Sequence, residues 1–410
     1  MLVYIAADNN LAQYATYNIK DMSAGLTSSS GLNLLVQWDK PRDNNTWRYK
    51  IIPGGVTEAG TVTGSEMGYN PTQELVDAMK WVVSNYPAKK YALILWNHGS
   101  GIEDLAPGNR SIETFVAEQS DWLKFLPARL SWRGILYDDS QRTCCTNQGL
   151  SNALGQIKQL IGHKIDLVAM DACLMAMTEV AYQIQDSVNL LVASQQTIPG
   201  YGLPYSQFVK PLSLNPGNTT PIQLAKKMLA EYGKFYSTKK PTYDYTLSAI
   251  DVTSINLLKQ NIDKFITSIA NCKKIDSKTT KQIMLNARKS AISFHMPEYI
   301  DLYSFYANIL GQIKKSTPKS AFILDEIEKQ SPLNISQLYK KKLNTLCDVV
   351  QEGVNTLSKV VLQNTTGPIY SGVGGISIYY PSSRQVHPSY ARTTFAQNTS
   401  WLNFIKTYTN

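Results

Sequence analysis

Five short apolar runs in the first half of the chain constrain its fold more than any other feature: LVYIA (2–6), LNLLV (32–36), YALIL (91–95), IDLVAM (165–170) and LLVA (190–193). Several are separated by stretches with helical spacing. In 72–85, for example, Leu75, Val76, Met79, Val82 and Val83 recur on one face. Runs so largely apolar suit strands buried on both sides, and strands alternating with helices predict an α/β fold with a mostly parallel sheet flanked by helices. In such sheets the working groups collect at the carboxyl ends of the strands.

At 410 residues the chain exceeds one ordinary domain. The expected division is a sheet domain over 1–249, a lysine-rich helical domain over 250–370, and a returning strand with tail over 371–410, the strand being GGISIYYP (374–381). No apolar run approaches the ~18 residues that span a bilayer. No charged segment precedes 2–6, so any export signal would lie upstream of this sequence or have been removed, and this stretch leaves the compartment open. The net charge of +9 sits largely in lysine pairs such as Lys226-Lys227 and Lys273-Lys274. Between them Leu258, Ile262, Phe265, Ile266 and Ile269 keep helical spacing. That pattern describes amphipathic helices with a solvated basic face, and no nucleic-acid motif with interleaved aromatics accompanies it. The five cysteines include no C-x-x-C pair, which argues against a zinc knuckle or a thioredoxin-type site. Adjacent Cys144 and Cys145 do not bridge without strain. A reactive thiol is the remaining special role.

The residues that end each apolar run are polar. The first is followed by Asp8-Asn9-Asn10, the second by Asp39, the third by WNHGSG (96–101), the fourth by Asp171-Ala172-Cys173 and the fifth by Ser194-Gln195-Gln196. Cys173 is expected where a helix begins, and the amides and dipole there favour a thiolate. A free cysteine at such an edge is more often a small buried hydrophobe. His98 tips the balance: an imidazole that takes a thiol proton and returns it to a leaving amine is the partner a nucleophilic cysteine needs. Neighbouring parallel strands would bring His98 and Cys173 together across the intervening chain, and Gly99 would let the backbone come close enough to face an oxyanion. His163 lies at the wrong end of the sheet, and His295 and His387 fall in the later helical and tail regions. A metal site needs more ligands than this edge offers. No G-x-S-x-G is present for a serine hydrolase. The interval 99–164 is expected to be a long functional or processed loop, with Arg110, Arg129, Arg133 and Arg142 as its arginines.

The paired signals, apolar-run-His-Gly and apolar-run-Asp-Ala-Cys, resemble the caspase-like clan CD of cysteine peptidases, and within it the clostripain-type (C11) peptidases of bacteria. The stretches that carry the resemblance are LVYIAADNNL, ALILWNHGSG, ILYDDS, IDLVAMDACLMAMTEVAY, LLVASQQTIPGYGLPY, TLSAID and GGISIYYP. It implies a caspase-like sheet and an endopeptidase cutting after arginine or lysine, with Cys173 as nucleophile and His98 as acid/base. It further implies an oxyanion hole from the amides of Gly99 and Cys173, with Asp171 in an acidic pocket for the residue before the cut bond (P1). No second acid follows the fifth run, where Tyr201 stands instead. The resemblance also implies a single-chain precursor, since relatives of this kind are often cut between the two catalytic residues. Here the exposed, polar YDDSQRTCC makes the bond after Arg142 the expected site of self-cleavage, giving a monomer of two associated chains. The resemblance also implies a secreted or cell-envelope bacterial enzyme acting on proteins or peptides, without an essential cofactor or nucleic-acid partner. A catalytically silent, peptide-binding relative is the alternative.

Overall fold

A computed structural model describes residues 1–27, 31–103, 134–327, 335–383 and 385–409. Its strands are β1 (Leu2–Ala6), β2 (Leu35–Asp39), β3 (Asn45–Ile52), β4 (Gly55–Glu58), β5 (Val62–Thr63), β6 (Ala92–Trp96), β7 (Ile135–Asp138), β8 (Thr143–Cys145), β9 (Ile165–Asp171), β10 (Val188–Ala193), β11 (Thr246–Asp251), β12 (Tyr299–Asp301), β13 (Val361–Thr366) and β14 (Ser377–Tyr379). Ten of them form one sheet in the order β13-β11-β10-β9-β6-β1-β2-β3-β4, with β5 beside β3. The apolar runs mark its parallel centre, β10-β9-β6-β1-β2, although the run 32–36 meets its strand only at Leu35 and Val36, β2 continuing to Asp39. Antiparallel strands extend it on both sides, β11 and β13 on one and β3 and β4 on the other. The chain thus adopts the expected α/β fold.

The period of two along each strand divides the core between the two faces. Leu2, Tyr4, Leu93, Leu95, Val168 and Met170 enter one core, and Val3, Ile5, Ile94, Trp96, Leu167 and Ala169 enter the other. Helices Ala12–Gly25, Tyr205–Leu214 and Pro221–Lys234 bury their apolar stripes in the second core. Helices Pro71–Asn85, Asn147–Ile161 and Ile255–Ile275 do so in the first. Fully buried aliphatics such as Leu93 and Val168 each contribute about 2 kcal/mol to this packing. The helix Pro71–Asn85 starts as its sequence dictates, with Asn70 accepting the Gln73 N–H at 3.2 Å and Pro71 in the first turn.

Two expectations are revised here. The interval 99–164 is not one long loop: residues 134–161 form the β7–β8 hairpin and the helix Asn147–Ile161. That helix is capped by Thr146 and ended by Gly162 at φ 78°, with Leu150, Ala153, Leu154 and Ile157 buried on one face. Arg110, Arg129 and Arg133 lie outside the described residues. At the other end of the chain, GGISIYYP is a strand only over Ser377–Tyr379, and it pairs with β12 away from the main sheet. The strand that returns to the main sheet is β13, which lies within the stretch read as helical. Among the described residues, no helix is long and apolar enough to cross a membrane.

Candidate active site

Register places the two key residues. In the parallel pair β6–β9, Trp96 lies opposite Asp171. His98 and Cys173 each follow two residues later, so they leave neighbouring strands at the same level. Gly99 then packs directly on the turn that carries the thiol. A Cβ at residue 99 would stand 2.5 Å from the Cys173 carbonyl oxygen, so only glycine allows this approach.

Cys173 does not begin a helix. It sits in a turn with Leu174 at φ 65°, and the next helix starts only at Thr178. The amides of Leu174 and Ala176 donate instead to the carbonyls of Gln196 and Ser194, at 3.2 and 2.9 Å, on the segment that follows β10. This pairing overrides the helical preference of LMAM. The expected help from a helix dipole is therefore missing. The Sγ of Cys173 accepts one hydrogen bond, from the Ile198 N–H at 3.3 Å. Burial pushes the thiol up to about 11, and the nearby Asp171 charge adds to the shift. Burial also lowers the His98 imidazole to about 4. Near neutral pH the resting pair is a thiol beside a neutral imidazole.

His98 Nε2 lies 2.7 Å from Oδ1 of Asn10, at the end of the segment after β1. With the amide oxygen accepting, Nε2 carries the ring proton and Nδ1 keeps its lone pair. Asn97, just before His98, donates to the Tyr137 carbonyl at 2.7 Å and so anchors the histidine's backbone.

These residues line one cavity of about 190 Å³, together with Asp171, Ala172, Tyr14, Ile198, Gly202 and His295. Asp171 is 4% exposed, and its Oδ2 accepts from the Leu203 N–H at 3.0 Å and the Tyr205 hydroxyl at 2.9 Å. Gly202, at φ 66°, is held so close that a Cβ would meet Asp171 Oδ2 at 2.6 Å. Burial raises the Asp171 carboxyl to about 6, against the pull of those two donors. Tyr201 does not fill the cavity. Its ring packs edge-on against Tyr14 and Tyr17, under the Lys240 ammonium at 4.2 Å, outside the lining.

Asn10 and His295 are cavity residues that the sequence argument left without a role. His295 comes from the chain before β12, and its amide donates to Gln196 Oε1 at 3.0 Å. His163 is exposed at the other end of β9, its Nδ1 on the Lys164 carbonyl, as expected. A larger cavity of about 370 Å³ lies near the amino ends of the strands, beside Pro87, Lys90 and Asp166. It contains no cysteine or histidine.

The clostripain family model, that of the C11 peptidases, matches residues 3–408. Clostripain of Hathewaya histolytica is 25% identical, over 99% of this chain and 80% of its own length. A secreted C11 cysteine protease from Bacteroides thetaiotaomicron, solved with an irreversible peptide inhibitor, shares the fold at a TM-score of 0.61 and 19% identity, over 98% of each chain. An inactive zymogen C11 protease from Parabacteroides distasonis gives 0.58 at 16% identity, over 97% of this chain and 96% of its own. With the family model matched along almost its whole length, the chain belongs to the clostripain family and is a cysteine peptidase.

Proposed function

We propose that the protein is an endopeptidase that cleaves after arginine or lysine, with Cys173 as nucleophile and His98 as acid/base. The observation that carries this reading is the convergence of a thiol, a neutral imidazole and one buried carboxylate on a single cavity. A substrate carbonyl seated by Cys173 is attacked by Sγ while His98 Nδ1 takes the thiol proton. This order suits a pair that rests in the neutral form. The amides of Gly99 and Cys173 face the developing oxyanion. His98 then protonates the leaving amine, and water, activated by the same ring, hydrolyses the thioester. Asp171 receives the P1 cation. Its Oδ2 is occupied by Leu203 and Tyr205, which leaves Oδ1 toward the substrate, and arginine's planar fork favours such a partner over lysine's point charge. With purified enzyme and fluorogenic peptides that differ only at P1, Arg and Lys should be cut well ahead of Leu and Asp. Equal rates would end the P1 assignment.

Asn10 acts here as a positioning residue, holding the His98 ring through Nε2–H. Asn10→Ala is expected to lower kcat by about 10-fold or more with little change in KM, since the ring loses its orientation. Asn10→Asp places a negative charge on the imidazolium and should raise the acid limb of kcat/KM, set by His98 near 4, by a unit or more. The limb is read with a Leu-P1 substrate, which does not depend on Asp171. A limb that stays in place in Asn10→Asp would reduce Asn10 to a packing role.

Self-cleavage after Arg142 belongs to the same proposal. Arg142 is exposed at the tip of the β7–β8 hairpin with φ 56°, a backbone conformation that costs a non-glycine residue about 1 kcal/mol. Cutting there leaves His98 and Cys173 on separate chains, held together because β6 and β9 are paired. Active protein held at neutral pH is expected to yield a new amino terminus at Thr143, absent from Cys173→Ala. A fully active chain that stays intact would contradict it. Secretion from a bacterial cell is proposed on the description of the Bacteroides relative.

A further inference from the structure

The hairpin that carries Arg142 rests on a group of carboxylates from four parts of the chain. Asp8 follows β1, Asp39 ends β2, Glu66 and Glu74 flank the start of the helix Pro71–Asn85, Asp138 ends β7 and Asp139 follows it. Asp8, Asp39 and Asp138 are 4%, 1% and 2% exposed. No N–H or hydroxyl donor reaches either carboxylate oxygen of Asp39, nor Oδ2 of Asp8, Oδ2 of Asp138 or Oδ1 of Asp139, and the Asp39 and Asp138 carboxyls meet each other instead. Among the described residues no lysine or arginine forms an ion pair with any of the six. The nearby Arg48 is turned to Gln37 Oε1, at 2.9 Å. Buried carboxylates without a counter-charge keep a proton instead. Burial, and then the charges of Asp138, Asp8, Glu66 and Glu74, push the Asp39 carboxyl far above the usual carboxylate range.

Thr143 is already in place beside this group. It is the cross-strand partner of Asp138, so the two side chains share a face at close range. The Thr143 hydroxyl donates to the Gly68 carbonyl. The Asp138 carboxylate lies against the Cα of the same glycine, where a side chain at residue 68 would overlap its Oδ2. A positive charge at the Thr143 nitrogen would therefore enter a region rich in unpartnered acid oxygens. Among the described residues no three His, Cys, Asp or Glu side chains are placed to hold a metal ion.

We infer that the α-ammonium of Thr143, freed when the Arg142–Thr143 bond is cut, is the cation this cluster receives, pairing with Asp39 and Asp138. The inference rests on the proposed cleavage site. Hydrolysis adds water across the amide: hydroxyl goes to the Arg142 carbonyl carbon and hydrogen to the Thr143 nitrogen. The new amine takes up a proton at neutral pH, and Asp39 releases the one it held. The ion pair replaces the held proton without leaving a buried charge alone.

The position of the cluster gives the pairing a consequence. Asp139 N–H donates to the Asp8 carbonyl at 2.8 Å, and Asn9 and Asn97 both donate to the Tyr137 carbonyl, at 3.0 and 2.7 Å. Asn97 precedes His98, and Asn9 precedes Asn10. A terminus seated at Asp39 therefore fastens the hairpin to both segments that hold the His98–Asn10 pair, which links the cut to the ordering of the site.

The test uses full-length Cys173→Ala nicked after the exposed Arg142 with trypsin, so the terminus arises without self-cleavage. Carbamylation of the Thr143 amine by cyanate at pH 8 is followed by mass spectrometry, beside a free peptide of residues 143–149. An α-amine ordinarily titrates near 8. Pairing should raise it and slow labelling by about 10-fold or more relative to the peptide. Asp39→Asn in the nicked chain should restore a rate within about 3-fold of the peptide, as should Asp138→Asn. The melting midpoint gives an independent sign. A carboxyl held above its unfolded pKa costs stability as pH rises, so at pH 8 Asp39→Asn should raise the midpoint of the intact chain and lower that of the nicked one. Labelling as fast as the peptide, slow labelling that neither variant accelerates, or the same sign of midpoint change in both forms would overturn the inference. Absence of a Thr143 terminus from the active wild type would defeat only the self-cleavage.

Discussion

Replacing Cys173 with alanine is expected to abolish peptide hydrolysis, by at least about 10⁴-fold in kcat/KM, while the fold survives. The side chain is partly buried and loses one sulfur, so the cost in stability is about 1 kcal/mol. The β6–β9 register and the contacts of Leu174 and Ala176 do not involve the thiol. His98→Ala should be nearly as damaging, because a thiol pushed up to about 11 supplies almost no thiolate on its own near neutral pH. The imidazole is needed to take the proton during attack. The double variant should be little worse than either single one, since the two act as a unit. Rates on one fluorogenic Arg peptide, with melting curves of the same preparations, measure all of this. Turnover by Cys173→Ala within 10-fold of the parent enzyme would refute the assignment.

The second large effect concerns Asp171. Asp171→Asn should lower kcat/KM for Arg substrates by about 10²-fold and leave a Leu-P1 substrate within a few-fold. Removing one partner of a buried charge pair typically costs about 2–5 kcal/mol, whereas a neutral side chain gains nothing from the charge. Asparagine still offers an oxygen to the Leu203 N–H and the Tyr205 hydroxyl, so the pocket wall keeps its shape. The pH dependence follows from the raised carboxyl. Asp171 titrates at about 6, is charged above that pH and becomes neutral below it. For Arg substrates kcat/KM should therefore fall as pH drops through about 6. For Leu substrates the fall waits for His98 to protonate, near 4. In Asp171→Asn the two profiles should share the lower limb. A limb near 6 that persists with Arg substrates in Asp171→Asn would assign it to another group.

The sheet's centre was legible because its five strands are largely buried and so mostly apolar, with few polar residues such as Gln37, Asp166 and Asn189 among them. The outer strands β3, β4 and β13 expose part of their surface and mix polar residues in, so they lacked that signal. His98 and Cys173 were legible as strand-end residues, although their adjacency depends on β6 lying next to β9. Strand order is a tertiary fact, and for the same reason Asn10 gave no local sign that β1 would bring it to His98. Leu174 to Met177 are good helix formers and point to a helix start at Cys173, where the structure has a turn. Only the segment after β10, which takes their amides, decides otherwise. Tyr201 stands in the sequence where a second pocket acid would fall, but its ring turns to Tyr14, Tyr17 and Lys240. The carboxylates of Asp8, Asp39 and Asp138 are individually unremarkable in the sequence and become a cluster only when β1, β2 and the hairpin meet.

The most direct test of the account is to find where a substrate-like electrophile attaches. A peptide that ends in an arginyl acyloxymethyl ketone presents its carbonyl to the nucleophile as a substrate does. After inactivation at pH 7.5 and digestion, mass spectrometry should locate a single thioether on Cys173. Labelling should be strongly slowed in His98→Ala and reduced in Asp171→Asn, with Cys144, Cys145, Cys272 and Cys347 unmodified. Inactivation through any other residue, or full labelling of Cys173 at an unchanged rate in His98→Ala, would contradict the proposed dyad.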